Sequence, residues 1–565
     1  MSFARFAWIS FQTVTLRYRN GGEIDSDIEE SGRMNDSMNS IPSRRHDLDA
    51  LRGIAMLLGI FLHAAIAYSP DAGRGWPIQD SQSSQITSLF IAMVHGFRMP
   101  LFFLLSGFFT MMLYRRRGMS KLIEHRILRI AIPFVIGMST IIPSIWIVAG
   151  HIQANPSAND TVFDETDLLT PVVQDDLAAV EKALAAGADV NQRSEQGDSP
   201  FLVAAFLGRD DIAEVLLDHD ADPELGNHKG ERPIDVMRAP WGTTEFVAGL
   251  LQIEVDREDV ESGREKIAAM MGETLSGPDS GMATDGGANA VDWKGLMFLL
   301  FEFPATGHLW FLWFLCFLVT GFVLVMTLTP RGWRSRLNLA TVVRSPHCLL
   351  WLIPLTMLPH WFMRHEGFGP ATSVGLLPMP SVLAYYALFF GFGAIYFDAD
   401  DRDGNLGRGW KISLPLSLTV LFGIGWALRG QTEGGGLVAS VLIQSAYAWC
   451  VSFGMMGLFR TLFAHPSRTL RYLSDSSYWL YLAHLPLVMY LQFWVRDWEV
   501  PLLVKFTVVS VISSVVLLLS YQVFVRYTPI GWLLNGKRKP AVPNANEPNA
   551  NDAPGSEVVA AQLVR

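Results

Sequence analysis

Ten stretches of this chain are apolar enough, for long enough, to cross a bilayer: 51–70, 88–113, 130–150, 306–328, 348–364, 381–397, 412–428, 437–459, 475–495 and 502–524. Each crossing needs ~20 mostly apolar residues. A spanning segment has no water to pair with, so it must satisfy its backbone N–H and C=O groups within itself. The expected fold class is therefore an all-α polytopic membrane protein of about ten transmembrane helices. Several stretches contain Pro or Gly, which membrane helices tolerate better than soluble ones. The stretch 348–364 carries Pro354 and Pro359, and 381–397 is short. Residues 294–304 read as a re-entrant or interfacial addition.

Charge divides the chain further. The net charge is −10, yet residues 151–293 hold 9 Lys and Arg against 30 Asp and Glu, while the remainder holds 35 against 24. The negative total argues against a nucleic-acid binder. In the apolar part the cations gather in alternate loops. One side has Arg115, Arg116, Arg117, Lys121, Arg126 and Arg129, then Arg331, Arg334, Arg336 and Arg344. It continues with Arg402, Arg408, Lys411, Arg460, Arg468, Arg471, Arg526, Lys537, Arg538 and Lys539. The opposite loops have only Arg74, Arg364, Arg429 and Arg496. Cytoplasmic loops are the cationic ones. Both termini are thus expected in the cytoplasm, with 151–293 exterior (periplasmic) and the whole protein in the plasma (inner) membrane.

The resulting domain reading has five parts. Residues 1–45 are a disordered extension, 46–150 a first membrane part of three helices, and 151–293 an acidic insert. Residues 294–530 form a second membrane part of about seven helices, and 531–565 a disordered tail. The cysteines Cys316, Cys348 and Cys450 are scattered, which gives no disulfide framework or zinc spacing and suits small buried hydrophobes. No metal ligand set stands out.

The insert repeats with a period of 33. GADVN at 187–191 returns as DADPE at 220–224, and Leu184, Gly197 and Pro200 map onto Leu217, Gly230 and Pro233. This period resembles ankyrin repeats, in which helix pairs stack to bury an apolar face. About two units fit 170–240, with capping helices at 242–253 and 258–272 and a linker at 274–290. Such a surface suits a protein partner, and a spacer without a ligand is equally open.

A charged residue at the centre of a spanning helix costs ~2.5–3.5 kcal/mol on insertion scales, so such residues point to function. Arg52 and His63 are eleven residues apart, three turns plus ~20°, and share a face ~16 Å apart along the axis. Asp49 is placed to pair with Arg52. His95 and Arg98 lie at i and i+3 at the outer end of the second span, followed by Ser106 and Gly107, which also suit close helix packing. Arg126 and Arg129 stand at i and i+3 beside the cytoplasmic boundary, a spacing that suits a phosphate clamp or the topology signal alone. Glu302 and His308 sit near the outer interface, and His484 is a further intramembrane imidazole. The segment holds no GxSxG, P-loop, HExxH or dinucleotide fingerprint.

Taken in order, DALRG with Arg52 ten residues before His63, HGFRMPLFFLLSGFF, RILRIAIPF, GHLWFL and SYWLYLAHLPL resemble the membrane acyltransferase-3 family. HGFRM with GHLWFLWFL is most similar to the branch that succinylates periplasmic glucans. The resemblance covers 44–150 and 294–530, and the ankyrin-like insert departs from it. It implies about ten helices and transfer of an acyl group, succinyl or acetyl, from cytoplasmic acyl-CoA to a hydroxyl of an exterior glycan or other envelope acceptor. It implies that His63 is the catalytic base, that Arg52 is essential, and that Arg126 and Arg129 hold the donor's phosphates. Asp49, His95, Arg98, Ser106, Glu302, His308 and His484 are supporting candidates. Acyl-CoA enters as co-substrate, with no tightly bound cofactor. Partners are the donor, the acceptor, the lipid bilayer and a protein on the insert. Two readings from other classes remain at this point, a transporter or exporter and an ankyrin-type receptor or scaffold.

Overall fold

The structure, a computed structural model, describes residues 45–70, 76–155, 157, 167–194, 197–228, 230–251, 253–275, 297, 300–301, 303–329, 343–363, 367–431 and 433–536. The chain divides at residue 46, and of residues 1–46 only Arg45 and His46 are described. The expected extension 1–45, nearly all of the linker 274–290 and most of 294–304 lie outside the described residues, as does the tail beyond 536.

The described regular structure is entirely helical. The membrane part opens with α1 (His46–Ile66) and α2 (Gln85–Arg126), continued by a π-turn, Ile127–Ala131, into α3 (Ile132–Gln153). After the insert come α11 (Trp310–Leu328), α12 (Leu349–Trp361), α13 (Pro380–Ala399), α14 (Trp410–Leu416) and α15 (Phe422–Ala427). The last are α16 (Gly434–Leu462), α17 (Arg468–Val495), α18 (Leu502–Ser520) and the short α19 (Pro529–Asn535). Seven helical runs among the described residues are long and apolar enough to cross a membrane.

Three boundaries differ from expectation. The expected loop at 114–129 is helical, and 85–153 runs on as one helical stretch whose direction changes at Gly118 (φ 76°, ψ 176°). Only a residue without Cβ takes that conformation at little cost. The stretch 348–364 yields a 13-residue helix, too short for a perpendicular crossing of the ~20-residue kind. Folded structure also passes residue 531, because α19 buries Leu534 and Asn535 Nδ2 donates to the Asp475 carbonyl at 2.8 Å.

Close backbone contact organises the bundle. A Cβ on Gly107 would lie 1.8 Å from the Phe390 carbonyl oxygen, and one on Gly393 1.9 Å from that of Leu104. Small residues here let α2 and α13 touch along their length. Gly53 does the same for α1 and α17, where a Cβ would come within 3.0 Å of the Ser474 nitrogen. Aromatic rings fill the interior, with Phe389 stacked on Trp449 at 3.9 Å. On the outside, Leu324, Val325 and Leu328 of α11 and Val515 and Leu519 of α18 are exposed. An apolar surface of this kind is unsuited to water and matches lipid. The three cysteines are free thiols.

The insert has its own core. Its helices are α4 (Leu169–Gln174), α5 (Leu177–Ala185), α6 (Pro200–Leu207), α7 (Asp210–Asp218), α8 (Pro233–Met237), α9 (Trp241–Leu251) and α10 (Arg257–Met270). Leu168, Val172, Phe201, Ile212, Leu216 and Ile267 are buried together. The 33-residue shift reappears in the hydrogen bonds. The Asp189 carboxylate accepts from the Asn191 N–H and the Asp222 carboxylate from the Glu224 N–H. Likewise Ser194 Oγ accepts from the Asp198 N–H, and Asn227 Oδ1 from the Glu231 N–H. The two turns are joined, since the Asp222 N–H donates to Asn191 Oδ1 at 2.8 Å. Arg264, unremarked in the sequence, staples three segments by donating to the carbonyls of Phe206 and Ala239 and to Thr244 Oγ1. Burial pushes its guanidinium down to about 10.

Candidate active site

Two parallel helices, α1 and α17, carry two facing pairs of polar residues. At one end Arg52 Nη2 donates to Ser474 Oγ at 2.8 Å and to the Ser474 carbonyl at 3.2 Å. Eleven residues on, His63 of α1 meets His484 of α17, ten residues beyond Ser474, with ring centroids 4.9 Å apart. The near-equal steps keep both pairs on facing stripes.

His308 completes a cluster of three imidazoles, its ring centroid 5.7 Å from that of His484. It stands on a 3-10 turn, Gly307–Leu309, whose Gly307 has φ 47°. Pro486 explains its anchoring. A proline has no N–H, so the carbonyl four residues back, Leu482, loses its intrahelical donor. His308 Nε2 donates to that oxygen at 3.2 Å. Tyr481 Oη returns a bond to the His308 carbonyl at 2.8 Å. His484 Nδ1 faces the carbonyls of Tyr481 at 2.8 Å and Leu480 at 3.0 Å. Carbonyls only accept, so these nitrogens carry the hydrogens. In neutral rings, His308 Nδ1 and His484 Nε2 are then bare lone pairs. Both are buried without partners, as is His63 Nδ1. Among the described residues no group of three or more His, Cys, Asp or Glu fits a metal ion.

Arg98 reaches the same place from α2. Its Nη1 lies against Gly59, where a Cβ would be 1.9 Å away. Gly59 is one turn before His63 on the same face. His63, His484, Tyr481 and Tyr386 are within electrostatic reach of Arg98. His63, Arg98 and His308 lie deep in the bundle, yet each keeps some accessible surface.

At the other end, Arg126 Nη2 donates to Thr110 Oγ1 at 2.7 Å, and Tyr478 Oη donates to the Arg129 carbonyl at 2.7 Å. Arg129 Nη1 reaches the Leu534 carbonyl at 3.4 Å. Arg52 and Arg129 both lie within electrostatic reach of Arg126. The Nε atoms of Arg52 and Arg126 are buried without partners. Among the described residues no carboxylate forms an ion pair with these three arginines. Such an assembly is set to accept an anion from outside the protein.

The hydrogen bonds of Arg52 go to Ser474 and not to Asp49. His95 Nε2 donates to the Pro370 carbonyl at 3.0 Å, and His95 also lies within electrostatic reach of His63. The Ser106 carbonyl accepts from Thr110 Oγ1, and no described hydrogen bond joins the Ser106 hydroxyl to the imidazoles. Glu302 lies outside the described residues. Sequence reasoning missed Gly59, Trp76, Tyr481 and Gln492. Gln492 Nε2 donates to the carbonyls of His63 (3.0 Å) and Ala64 (3.1 Å), and its Oε1 accepts from Trp76 Nε1 at 2.9 Å. A lone Gln in an apolar helix is the kind of signal that marks such a tie.

A model of the acyltransferase domain family matches residues 45–214 and 232–519. The chain is 38% identical over 99 residues to the glucans biosynthesis protein C of Escherichia coli strain K12. It is 37% identical over 99 residues to the proteins of that name from E. coli O1:K1 / APEC and E. coli O9:H4 (strain HS). Each alignment takes in 17% of this chain and 25% of the relative, so the chain spans a quarter of the length of these relatives. No solved structure matches.

Proposed function

This chain belongs to the acyltransferase family and is thereby an acyl-transferring enzyme; we propose that it is a membrane O-acyltransferase taking its acyl group from cytoplasmic acyl-CoA. The acceptor is a hydroxyl of an exterior glycan or other envelope molecule, in keeping with the glucan-biosynthesis relatives. One observation carries this reading. The helix pair α1–α17 joins three arginines that have no carboxylate partner among the described residues at one end to an imidazole cluster at the other.

The anionic headgroup of acyl-CoA docks on Arg126 and Arg129, with Arg52 beside them, and the thioester extends along α1 and α17. His63 takes the proton of the acceptor hydroxyl as its oxygen attacks the thioester carbonyl, and the CoA thiolate leaves. A neutral imidazole is suited to that transfer. His484 and His308, fixed in one tautomer by backbone carbonyls, hold the environment of His63 constant. The cationic loops support an inner-membrane protein with both termini in the cytoplasm. Counting α17, the two arms of 85–153, and α12 together with the 3-10 turn Pro346–Cys348 before it is in keeping with about ten crossings, with 46–150 and 294–530 as the two halves of one membrane domain. The 33-residue units read as two ankyrin repeats within an exterior insert, 151–293, that binds a protein or acts as a spacer. The test is acyl-CoA-dependent acylation in membranes carrying wild-type protein or His63→Ala. Near-wild-type activity of the variant sinks the role of His63.

A further inference from the structure

We propose that Arg98 is the catalytic cation that holds the oxyanion of the tetrahedral intermediate. This rests on the acyl-transfer reading above. When the acceptor oxygen bonds to the thioester carbon, the C=O π pair moves onto the carbonyl oxygen. That charge needs N–H or O–H donors aimed at where it develops, inside a site that excludes water.

The imidazole cluster is poor in such donors. The Nε2 hydrogen of His308 is committed to Leu482, and the Nδ1 hydrogen of His484 to Leu480 and Tyr481. Tyr481 Oη is committed to the His308 carbonyl. The free nitrogens of His308 and His484 are lone pairs, fit to accept and not to donate.

Arg98 supplies what is missing. Its Nε is buried without a partner, and its guanidinium makes no hydrogen bond or ion pair with any described residue. The absence of a side chain at Gly59 lets the guanidinium cross α1 one turn from His63. A buried guanidinium with no anion among the described residues is costly in a membrane interior, so its retention points to an anion that arrives with the chemistry. Tyr386, whose hydroxyl is also unpartnered, lies within electrostatic reach of it. The step balances. His63 receives the hydroxyl proton, the new C–O bond forms, and Arg98 pairs with the oxyanion. Collapse restores C=O and breaks the C–S bond, and the thiolate departs with the proton returned by His63.

The experiment measures kcat and KM for acyl-CoA in full-length wild-type, Arg98→Lys and Arg98→Ala proteins, with and without added guanidinium chloride. The expected result is a loss of about 10²–10³-fold in kcat for Arg98→Ala. KM for acyl-CoA should hold within about threefold. Lys should recover part of kcat, and guanidinium should raise the Ala variant at least about tenfold without raising the wild type. If Arg98→Ala does not fold, the kcat of Arg98→Lys carries the test. A kcat within about threefold of wild type in the folded variants overturns the assignment and leaves acyl transfer standing. A loss expressed only in KM overturns it as well. A wild-type protein that transfers no acyl group from any acyl-CoA removes both readings.

Discussion

His484 presents its bare Nε2 in a ring centred 4.9 Å from that of His63, while its Nδ1 hydrogen is held by the carbonyls of Tyr481 and Leu480. The pair joins two helices far apart in sequence, and the orientation of the His484 ring follows from backbone atoms of α17. If Nε2 is the atom that serves His63, replacements should rank by which nitrogen they imitate. Gln places a polar atom near the Nε2 position, and Asn near Nδ1. His484→Gln should therefore keep at least about tenfold more activity than His484→Asn, as read from kcat in membranes. Equal activity of the two would remove the role of Nε2.

Pro486 gives an unusual expectation. Pro486→Ala restores an N–H that competes with His308 for the Leu482 carbonyl. Thermal stability in detergent should stay level or rise, because an interior proline costs a helix about 3 kcal/mol. Activity should fall by roughly tenfold as His308 loses its anchor. Loss of stability together with activity would show a structural role alone.

Lys505 and Asp80 form an ion pair at 2.8 Å with both side chains 2% exposed, and Lys505 Nζ also donates to the Arg496 carbonyl at 2.7 Å. The pair fastens the 76–84 segment to the start of α18, beside Trp76. Removing one partner leaves a buried charge, so Asp80→Asn or Lys505→Met should each destabilise by about 3–5 kcal/mol. The double variant should recover much of that loss. Thermal unfolding of the four proteins gives the coupling, and purely additive losses would contradict a paired site.

Arg126 and Arg129 are expected to act on the donor. Arg126→Gln and Arg129→Gln should raise KM for acyl-CoA by about tenfold or more, and leave kcat at saturation nearly intact. The KM effect should shrink as salt rises, since screening already weakens the wild-type contact. A fall in kcat at unchanged KM would move these arginines away from the donor site.

The sequence made some of this legible and some not. Arg52 and His63 were readable because both lie on one helix, where the 3.6-residue period fixes which residues share a face. The apolar stretches were readable for the same local reason, and so was the repeat of 33, which survives as paired turns at 189–191 and 222–224. What depended on the register between distant segments was not. Nothing near Gln492 indicates that it will reach the carbonyls of His63 and Ala64, and nothing near Gly59 that a guanidinium from α2 will cross it. Helical spacing puts His95 on the face of Arg98, but does not show that its Nε2 will donate to Pro370 of a neighbouring segment. The loop expected at 114–129 was inferred from its charge, and a helix end at Gly118 serves that charge equally well.

The most direct measurement is transfer of label from isotope-labelled acyl-CoA in membranes containing the wild-type chain or His63→Ala. Wild type should yield an O-acylated envelope acceptor, and His63→Ala should lower labelling by at least about a hundredfold at equal protein level. Equal labelling by the two would remove His63 as the base of an acyl transfer.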